Sequence, residues 1–291
     1  MNLRVLISLG ISFLFLVVFL YIVPLSELKG LLSQVKPESL LYGFLIYTFS
    51  QLTRSLRWTL LLKGLGTRDA FLINSANIFM NNLLPARTGE LSWFYYAKRL
   101  GYNLKSSLWS FLVGRAYALL GLISLLVLSL SYLLGPVAPF LVSVPLILLS
   151  LLAGKVHALV PSKGKLTALK DFLKEEFSPS LSIKLYILST LSFFLKALSL
   201  YVLTYPLIEQ SFPLFSFAFA GGELTTILPI HGFMGYGTYE TGFLLPLKYM
   251  GIEIKEGIKV SFLAHSFLLL SSAVWGLVSI GLLHILSRRY P

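Results

Sequence analysis

The 291-residue chain has no cysteine and few charged residues, only 12% of the total. The lack of cysteine excludes disulfides, thiolate nucleophiles and most structural zinc sites, and no metal or cofactor is expected. A soluble globular chain carries roughly 25% charged residues, whereas this one is 56% hydrophobic. The composition therefore predicts an integral membrane protein that is all-α in fold class.

Acidic residues are scarce: 12 Asp and Glu stand against 24 Lys and Arg, a net charge of +12. In a soluble protein this excess would suggest nucleic acid, but the cytoplasmic loops of membrane proteins collect Lys and Arg. With the N-terminus inside, 14 basic residues fall on the inner side and five on the outer side. The chain is therefore predicted to lie in the cytoplasmic (inner) membrane with both termini inside, and no nucleic-acid partner is expected.

Long hydrophobic runs dominate the chain, and crossing a bilayer takes about 20 apolar residues. Two stretches, 71–99 and 212–249, are broken near the middle by Pro, Gly and charged residues. They predict interrupted helix hairpins that re-enter the membrane or cross it twice. Residues 1–291 are thus expected to form one polytopic helix bundle of six full spans plus two re-entrant hairpins. The six predicted spans are 3–23, 40–62, 107–134, 139–154, 181–205 and 259–286.

The longest loop, 155–180, falls on the cytoplasmic side. Apolar residues recur in it at helical spacing, at Leu166, Leu169, Leu173 and Phe177, with Lys and Glu between them. This pattern favours an amphipathic linker helix on the inner leaflet, and a plain solvated linker is the alternative.

An internal repeat relates residues 40–134 to residues 181–286. The landmarks keep their order: Arg54 with Lys196, Pro85 with Pro229, and Glu90 with Glu240. Their offset grows in small steps from 142 to 150, as in one ancestral unit with loop insertions. Chance matching in a sequence of low diversity is the alternative. In the topology above the two copies start on opposite sides, which predicts inverted repeats, an arrangement used by transporters.

Several ionisable residues fall inside the predicted spans, where each charge costs about 2.5 to 3.5 kcal/mol on insertion scales. The cations outnumber the carboxylates, so the interior suits an anionic group such as a lipid phosphate. The candidate substrate-binding residues are Arg54, Arg57, Asn81, Asn82, Arg87, Arg115 and Lys196. Candidates for ion coupling or for positioning are Glu90, Glu223, His231, Glu240 and His265, and the candidate backbone-loop residues are Pro85, Gly89, Gly235 and Gly237.

Plainer roles are open for some of these residues. Arg57 lies near the inner end of its span and could extend to the interface. Arg87 and Glu90 could pair with each other or with a neighbouring helix. His231 and His265 could relay protons, although a lone membrane histidine is more often a hydrogen-bonding strut.

Three motifs carry a family resemblance: LRWTLLL at 56–62, LPARTGE at 84–90, and GYGTYE at 235–240 followed by MGI from Met250. They resemble the membrane region of lysylphosphatidylglycerol synthases and the wider flippase-like family. Arg87, Gly89 and Glu90 match its Arg-x-Gly-Glu motif, and Gly235, Gly237 and Glu240 match its second motif. Tyr239 stands where that family usually has Arg, and Met234 where it often has Gly. The resemblance implies the lipid-translocating half, without an aminoacyl-transferring domain.

Three functions are consistent with these features. The first is a flippase that moves the headgroup of an anionic phospholipid or polyprenyl-phosphate lipid between leaflets. Transport would be passive or ion-coupled, since the sequence contains no ATPase signature. The second is an intramembrane enzyme on polyprenyl-phosphate lipids, with Glu240 or His231 as general base. The third is a membrane partner or anchor of a separate soluble synthase or glycosyltransferase. We expect a transporter-like protein rather than an enzyme.

Overall fold

The computed structural model describes residues 3–135, 137–163, 165–227 and 231–287. Within these ranges the side chains of residues 3–4, 32, 85–87, 165–166, 168–169, 172 and 286–287 lie outside the described part. The landmark Pro229, and Arg288 and Arg289 of the charge count, also fall outside it. The described helices are α1 Leu3–Ile22, α2 Leu25–Gln34, α3 Pro37–Leu61, α4 Thr67–Leu83, α5 Leu91–Arg99, α6 Leu104–Leu134, α7 Ala138–Ala153, α8 Lys165–Glu176, α9 Pro179–Thr204, α10 Phe212–Thr225, α11 Thr238–Tyr249 and α12 Ile254–Ser287.

The predicted all-helical class is confirmed, since the described ranges contain helices and no strand. Four helices there are long and apolar enough to cross a membrane: Val5–Ile22, Leu104–Leu134, Pro179–Thr204 and Ile254–Ile285. The other two predicted spans correspond to α3, which carries two arginines, and to α7, which has only 16 residues. A count of six spans stays a prediction.

Both predicted interruptions coincide with breaks between helices. After α4, a 3-10 turn over Pro85–Glu90 leads into α5. After α10, the chain leaves the helix and passes through a 3-10 turn at Phe233–Gly235 before α11 begins. Proline cannot donate the backbone hydrogen bond that would continue a helix. Gly235 and Gly237 have φ of +87° and +90°, a region in which a side chain is strained.

Helices α3 and α9 pack along each other and form the central crossing of the bundle. The Ser50 hydroxyl donates to the Ser192 carbonyl at 2.8 Å, and the Ser199 hydroxyl to the Gly43 carbonyl at 2.7 Å. Because residue numbers rise along α3 while their partners fall along α9, the two helices are antiparallel. Small side chains at the crossing let the backbones approach closely.

Ion pairs tie the helix ends together on each face. Lys63, just after α3, pairs with Glu176 at the end of α8 at 2.8 Å. On the opposite face Lys255, at the start of α12, pairs with Glu27 of α2 at 2.6 Å. The hydrogen bond from Lys255 lowers the pKa of the Glu27 carboxyl, so that this carboxyl is charged at neutral pH.

The predicted linker helix corresponds to α8, which lies within 155–180. Leu173 and Phe177 are buried against the protein, and the Phe177 ring meets that of Trp109 edge-on with centroids 6.3 Å apart. The side chains of Leu166 and Leu169 lie outside the described part. The C-terminal part of this segment therefore packs on the bundle.

The first turn of α6 is held by a side-chain cap. The carboxamide oxygen of Asn103 accepts a hydrogen bond from the Ser106 N–H at 2.8 Å. Losing such a cap costs about 1 kcal/mol, so Asn103→Ala should lower the thermal unfolding temperature in detergent, while Asn103→Asp should not. Equal unfolding temperatures for both variants and the wild type would contradict this role.

Candidate functional site

A polar cavity of about 130 Å³ lies where the two interrupted hairpins approach the central crossing. It is lined by residues of α3, α4, α6, α9, α10, α11, α12 and the loop before α11. The predicted site residues that line it are Arg54, Asn81, Asn82, Arg115, Lys196, Glu223, His231, Gly235 and His265. These residues span 212 positions of the sequence, so the fold alone brings them together.

Lys196 and Glu223 form an ion pair at the wall of the cavity. The Lys196 ammonium lies 2.8 and 2.9 Å from the two carboxylate oxygens of Glu223. The two side chains are 18% and 9% exposed. A carboxylate so close compensates most of the cost of burying the ammonium.

Arg115 pairs with Glu90 from the first interruption. Its Nη2 lies 2.8 Å from the carboxylate Oε1 of Glu90, and its guanidinium also lies over the Phe111 ring, 5.0 Å from the centroid. The structure thus gives Glu90 a partner on a neighbouring helix, α6. The side chains of Pro85 and Arg87 lie outside the described part, so their predicted roles stay predictions.

The first interruption folds tightly back on the last turn of α4. The Asn77 carboxamide donates to the Gly89 carbonyl at 3.2 Å, and the Ser92 hydroxyl donates to the same oxygen at 2.6 Å. A Cβ on Gly89 would lie only 2.3 Å from the Met80 carbonyl group. Only glycine allows this contact, which places the loop beside Asn81 at the cavity wall.

The second interruption is a strained loop braced by one carboxylate. Met234, Gly235 and Gly237 all have positive φ, at +55°, +87° and +90°. The Gly237 N–H donates to Oε2 of Glu240 at 2.7 Å, and the other oxygen of this carboxylate lies 2.6 Å from His265 Nδ1. Glu240 therefore caps α11 and fixes the orientation of His265 at the same time.

The two histidines are placed differently. The ring of His265 stacks on Tyr239, with centroids 4.4 Å apart, and faces Gly235, where a Cβ would come within 3.0 Å of it. His231 Nδ1 lies 2.9 Å from the Gly232 carbonyl oxygen, a local contact. These contacts hold the imidazole of His265 in one orientation. A proton relay through either histidine stays a prediction.

Arg57 differs from its sequence-based interpretations. Its side chain is buried, with 1% exposure, so it does not extend to the interface. It also does not line the main cavity, because it lies behind Arg54 in a smaller one of about 10 Å³. Its Nη1 donates to the Ser189 hydroxyl at 2.9 Å.

Sequence reasoning did not name eight lining residues as site candidates: Tyr47, Ile78, Thr226, Met234, Thr238, Tyr239, Leu268 and Leu269. Tyr47 lies seven residues before Arg54, which puts both on one face of α3, so helical spacing could have identified it. Thr238 and Tyr239 lie between Gly237 and Glu240 inside a motif already singled out. Thr226 follows the last turn of α10, a position that carries no signal of its own.

Charge and shape together limit what this cavity can hold. Three cations and one carboxylate line it, and Glu90 adds a second carboxylate beside Arg115. A mainly apolar cavity of about 230 Å³ adjoins it and shares Asn82, Met234 and Leu269 with it. A polar chamber with surplus positive charge beside an apolar one fits an amphipathic anion. Among the described residues no cluster of metal-ligating side chains is present.

A known protein family matches most of the chain. The model of the family described as lysylphosphatidylglycerol synthase TM region matches residues 5–276. That range includes both interruptions and every described residue of the polar cavity. No curated protein sequence matches the chain.

Proposed function

Since the chain belongs to the lysylphosphatidylglycerol synthase transmembrane family, we propose that it is a flippase-like protein that carries the headgroup of an anionic lipid between leaflets. The observation that carries this proposal is the polar cavity, in which Arg54, Arg115 and Lys196 converge. Buried cations are costly in a bilayer and mark substrate paths. A lipid phosphate compensates this charge and gains charge-assisted hydrogen bonds in return.

Helix lengths support re-entrant hairpins at the two interruptions. At 1.5 Å per residue, α4 and α5 of the first hairpin span about 26 and 14 Å, and α10 and α11 of the second span about 21 and 18 Å. The hydrocarbon core is about 30 Å thick. Such helices reach the middle of the bilayer and return, and irregular backbone at that depth is tolerated beside a polar cavity.

The packing between helices supports inverted repeats. α4 packs on α12, and its counterpart α10 packs on α6, the counterpart of α12. A two-fold axis in the membrane plane would relate the two repeats, and it would make their first helices, α3 and α9, run antiparallel, as they do. In this arrangement the two hairpins enter from opposite faces and meet at the polar cavity.

In the proposed mechanism the cations bind the lipid phosphate, and the carboxylates hold those cations in position. Arg54, Arg115 and Lys196 attract the phosphate, while Glu90 and Glu223 hold two of these cations in place through the ion pairs described above. Asn81 and Asn82 add amide groups at the end of α4. The acyl chains stay in apolar surroundings, for which the adjoining cavity beside Met234 and Leu269 provides a place.

Scrambling of a fluorescent lipid in liposomes tests this function. The wild type should move fluorescent phosphatidylglycerol across the bilayer faster than protein-free vesicles do. Arg54→Gln removes a charge-assisted hydrogen bond worth about 1.5 to 3 kcal/mol, so the rate should fall about tenfold or more. The matched control Arg68→Gln changes an arginine whose side chain is 71% exposed and should keep the wild-type rate.

Two outcomes would contradict the proposal. One is a wild-type rate equal to that of protein-free vesicles, and the other is an Arg54→Gln rate equal to the wild-type rate. Faster movement of zwitterionic phosphatidylcholine than of phosphatidylglycerol would contradict the preference for an anion.

A further inference from the structure

The guanidinium of Arg57 lies deeper in the protein than any cation of the polar cavity. Its exposure is 1%, and only its Nη1 has a described hydrogen bond, to Ser189. Its Nε and Nη2 are buried and have no hydrogen-bond partner among the residues that the structure describes. Arginine does not lose its proton inside a protein, so this charge and two donor atoms require compensation.

The nearby charges do not supply that compensation. The electrostatic neighbours of Arg57 are Arg54 and Arg115, which are also cations. The carboxylates of the interior are engaged elsewhere: Glu90 with Arg115, Glu223 with Lys196, and Glu240 with His265. The centroid of the Trp58 ring lies 5.1 Å from the guanidinium carbon of Arg57, and the ring compensates only part of its charge. A buried cation without an anionic partner is strongly destabilising, so an anion from solution would be bound where space allows.

That space is the smaller cavity behind Arg54. It measures about 10 Å³ and is lined by α3, α6 and α9. Arg54, Arg57 and Lys196 line it, and none of its lining residues is a carboxylate. Gln51 also lines it, and because its oxygen accepts from the Asn74 amide, its own NH₂ group is a further donor. A volume of this order is about one water-sized sphere.

We propose that this cavity binds a single monatomic anion, namely chloride. A phosphate or carboxylate has too many atoms for a site of one-sphere size. A water molecule fits and satisfies the hydrogen bonds, but it leaves the positive charge uncompensated. Chloride supplies the missing negative charge and accepts hydrogen bonds from N–H groups of Arg57 and Gln51, while the field of Arg54 and Lys196 attracts it. Because chloride is wider than a water molecule, its entry requires Arg54 and Lys196, which line both cavities, to shift toward the polar cavity.

The site is distinct from the polar cavity but shares Arg54 and Lys196 with it. A chloride in the smaller cavity would hold the side chains of Arg54 and Lys196 in place on the side that faces away from the polar cavity. The inference does not depend on lipid transport, since its readouts are anion binding and stability.

The test measures the thermal unfolding temperature of the purified full chain in detergent at constant ionic strength, with chloride replacing gluconate. An anion that binds the folded state raises this temperature as its concentration rises. We expect a chloride-dependent rise for the wild type, loss of that dependence in Arg57→Gln, and retention of it in the control Arg68→Gln. Crystals grown in bromide should show an anomalous peak within hydrogen-bonding reach of Arg57.

The proposal would be overturned if the unfolding temperature of the wild type did not change with chloride concentration. It would also be overturned by a bromide-grown crystal without an anomalous peak beside Arg57. A chloride effect of equal size in Arg57→Gln would also overturn it, because the anion would then act elsewhere. If Arg57→Gln does not fold, Gln51→Leu serves instead, since it removes a donor without removing a charge. It should weaken the chloride response, and an unchanged response would overturn the proposal.

Discussion

Glu223→Gln should lower the free energy of unfolding by about 3 kcal/mol, because it leaves the Lys196 ammonium buried without a carboxylate. Breaking one side of a buried ion pair costs about 3 to 5 kcal/mol, and the lower end applies since Lys196 retains 18% exposure. The matched control is Glu176→Gln, which breaks a surface pair with Lys63, 76% exposed. That change should cost about 1 kcal/mol or less.

The double variant Lys196→Met with Glu223→Leu separates stability from transport. Apolar side chains of similar volume often replace a buried ion pair without loss of stability, so the unfolding temperature should return to near the wild-type value. Lipid scrambling should not return, because the cation that attracts the phosphate is gone. A double variant that transports at the wild-type rate would show that this pair has only a structural role.

Gly89→Ala should have one of the largest effects of any single methyl group added to the protein. The new Cβ would lie 2.3 Å from the backbone of Met80 and 2.4 Å from the Asn81 nitrogen, and backbone atoms cannot rotate away as a side-chain tip can. Overpacking of this kind costs about 1 to 3 kcal/mol or more. The loop must move away from α4, so that scrambling should be lost together with stability.

Gly281→Ala is the matched control, since a Cβ at Gly281 meets nothing within 4 Å. This residue lies inside α12, where alanine is a better helix former than glycine. The unfolding temperature of Gly281→Ala should therefore equal or exceed that of the wild type. Thermal unfolding and scrambling of both variants, measured side by side, check the prediction. Wild-type behaviour of Gly89→Ala would contradict the close packing of this loop.

Much of the fold could be predicted from sequence because apolar runs and their interruptions are local signals. Both breaks coincide with Pro, Gly and charged residues that disfavour a continuous helix, and Arg54 and Lys196 were identified because membrane interiors exclude most charges. The family resemblance was confirmed over residues 5–276. These signals depend on residue type and spacing alone.

Pairing between charges could not be predicted, because it depends on which helices pack together. Glu90 meets Arg115, 25 residues away on α6, and Glu240 meets His265 on α12. Arg57 lies near one end of α3, where its position suggested contact with the interface. It is instead covered by α9, whose Ser189 accepts its hydrogen bond. Helix position gives depth in the membrane, but it does not show which side of a helix other helices cover.

The antiparallel crossing of α3 and α9 bears on the direction of movement. Arg54 and Lys196 each lie four residues after the serines that meet there, Ser50 and Ser192. On antiparallel helices these steps point in opposite directions, about 6 Å each, which displaces the two Cα atoms toward opposite leaflets. In the proposed path a headgroup from either leaflet would reach the level of one of these two backbone positions first and that of the other about 12 Å further along the helix axes, while both side chains line the same cavity. Such a path would be similar from both leaflets, so the net flux of lipid would follow the difference in lipid composition between them.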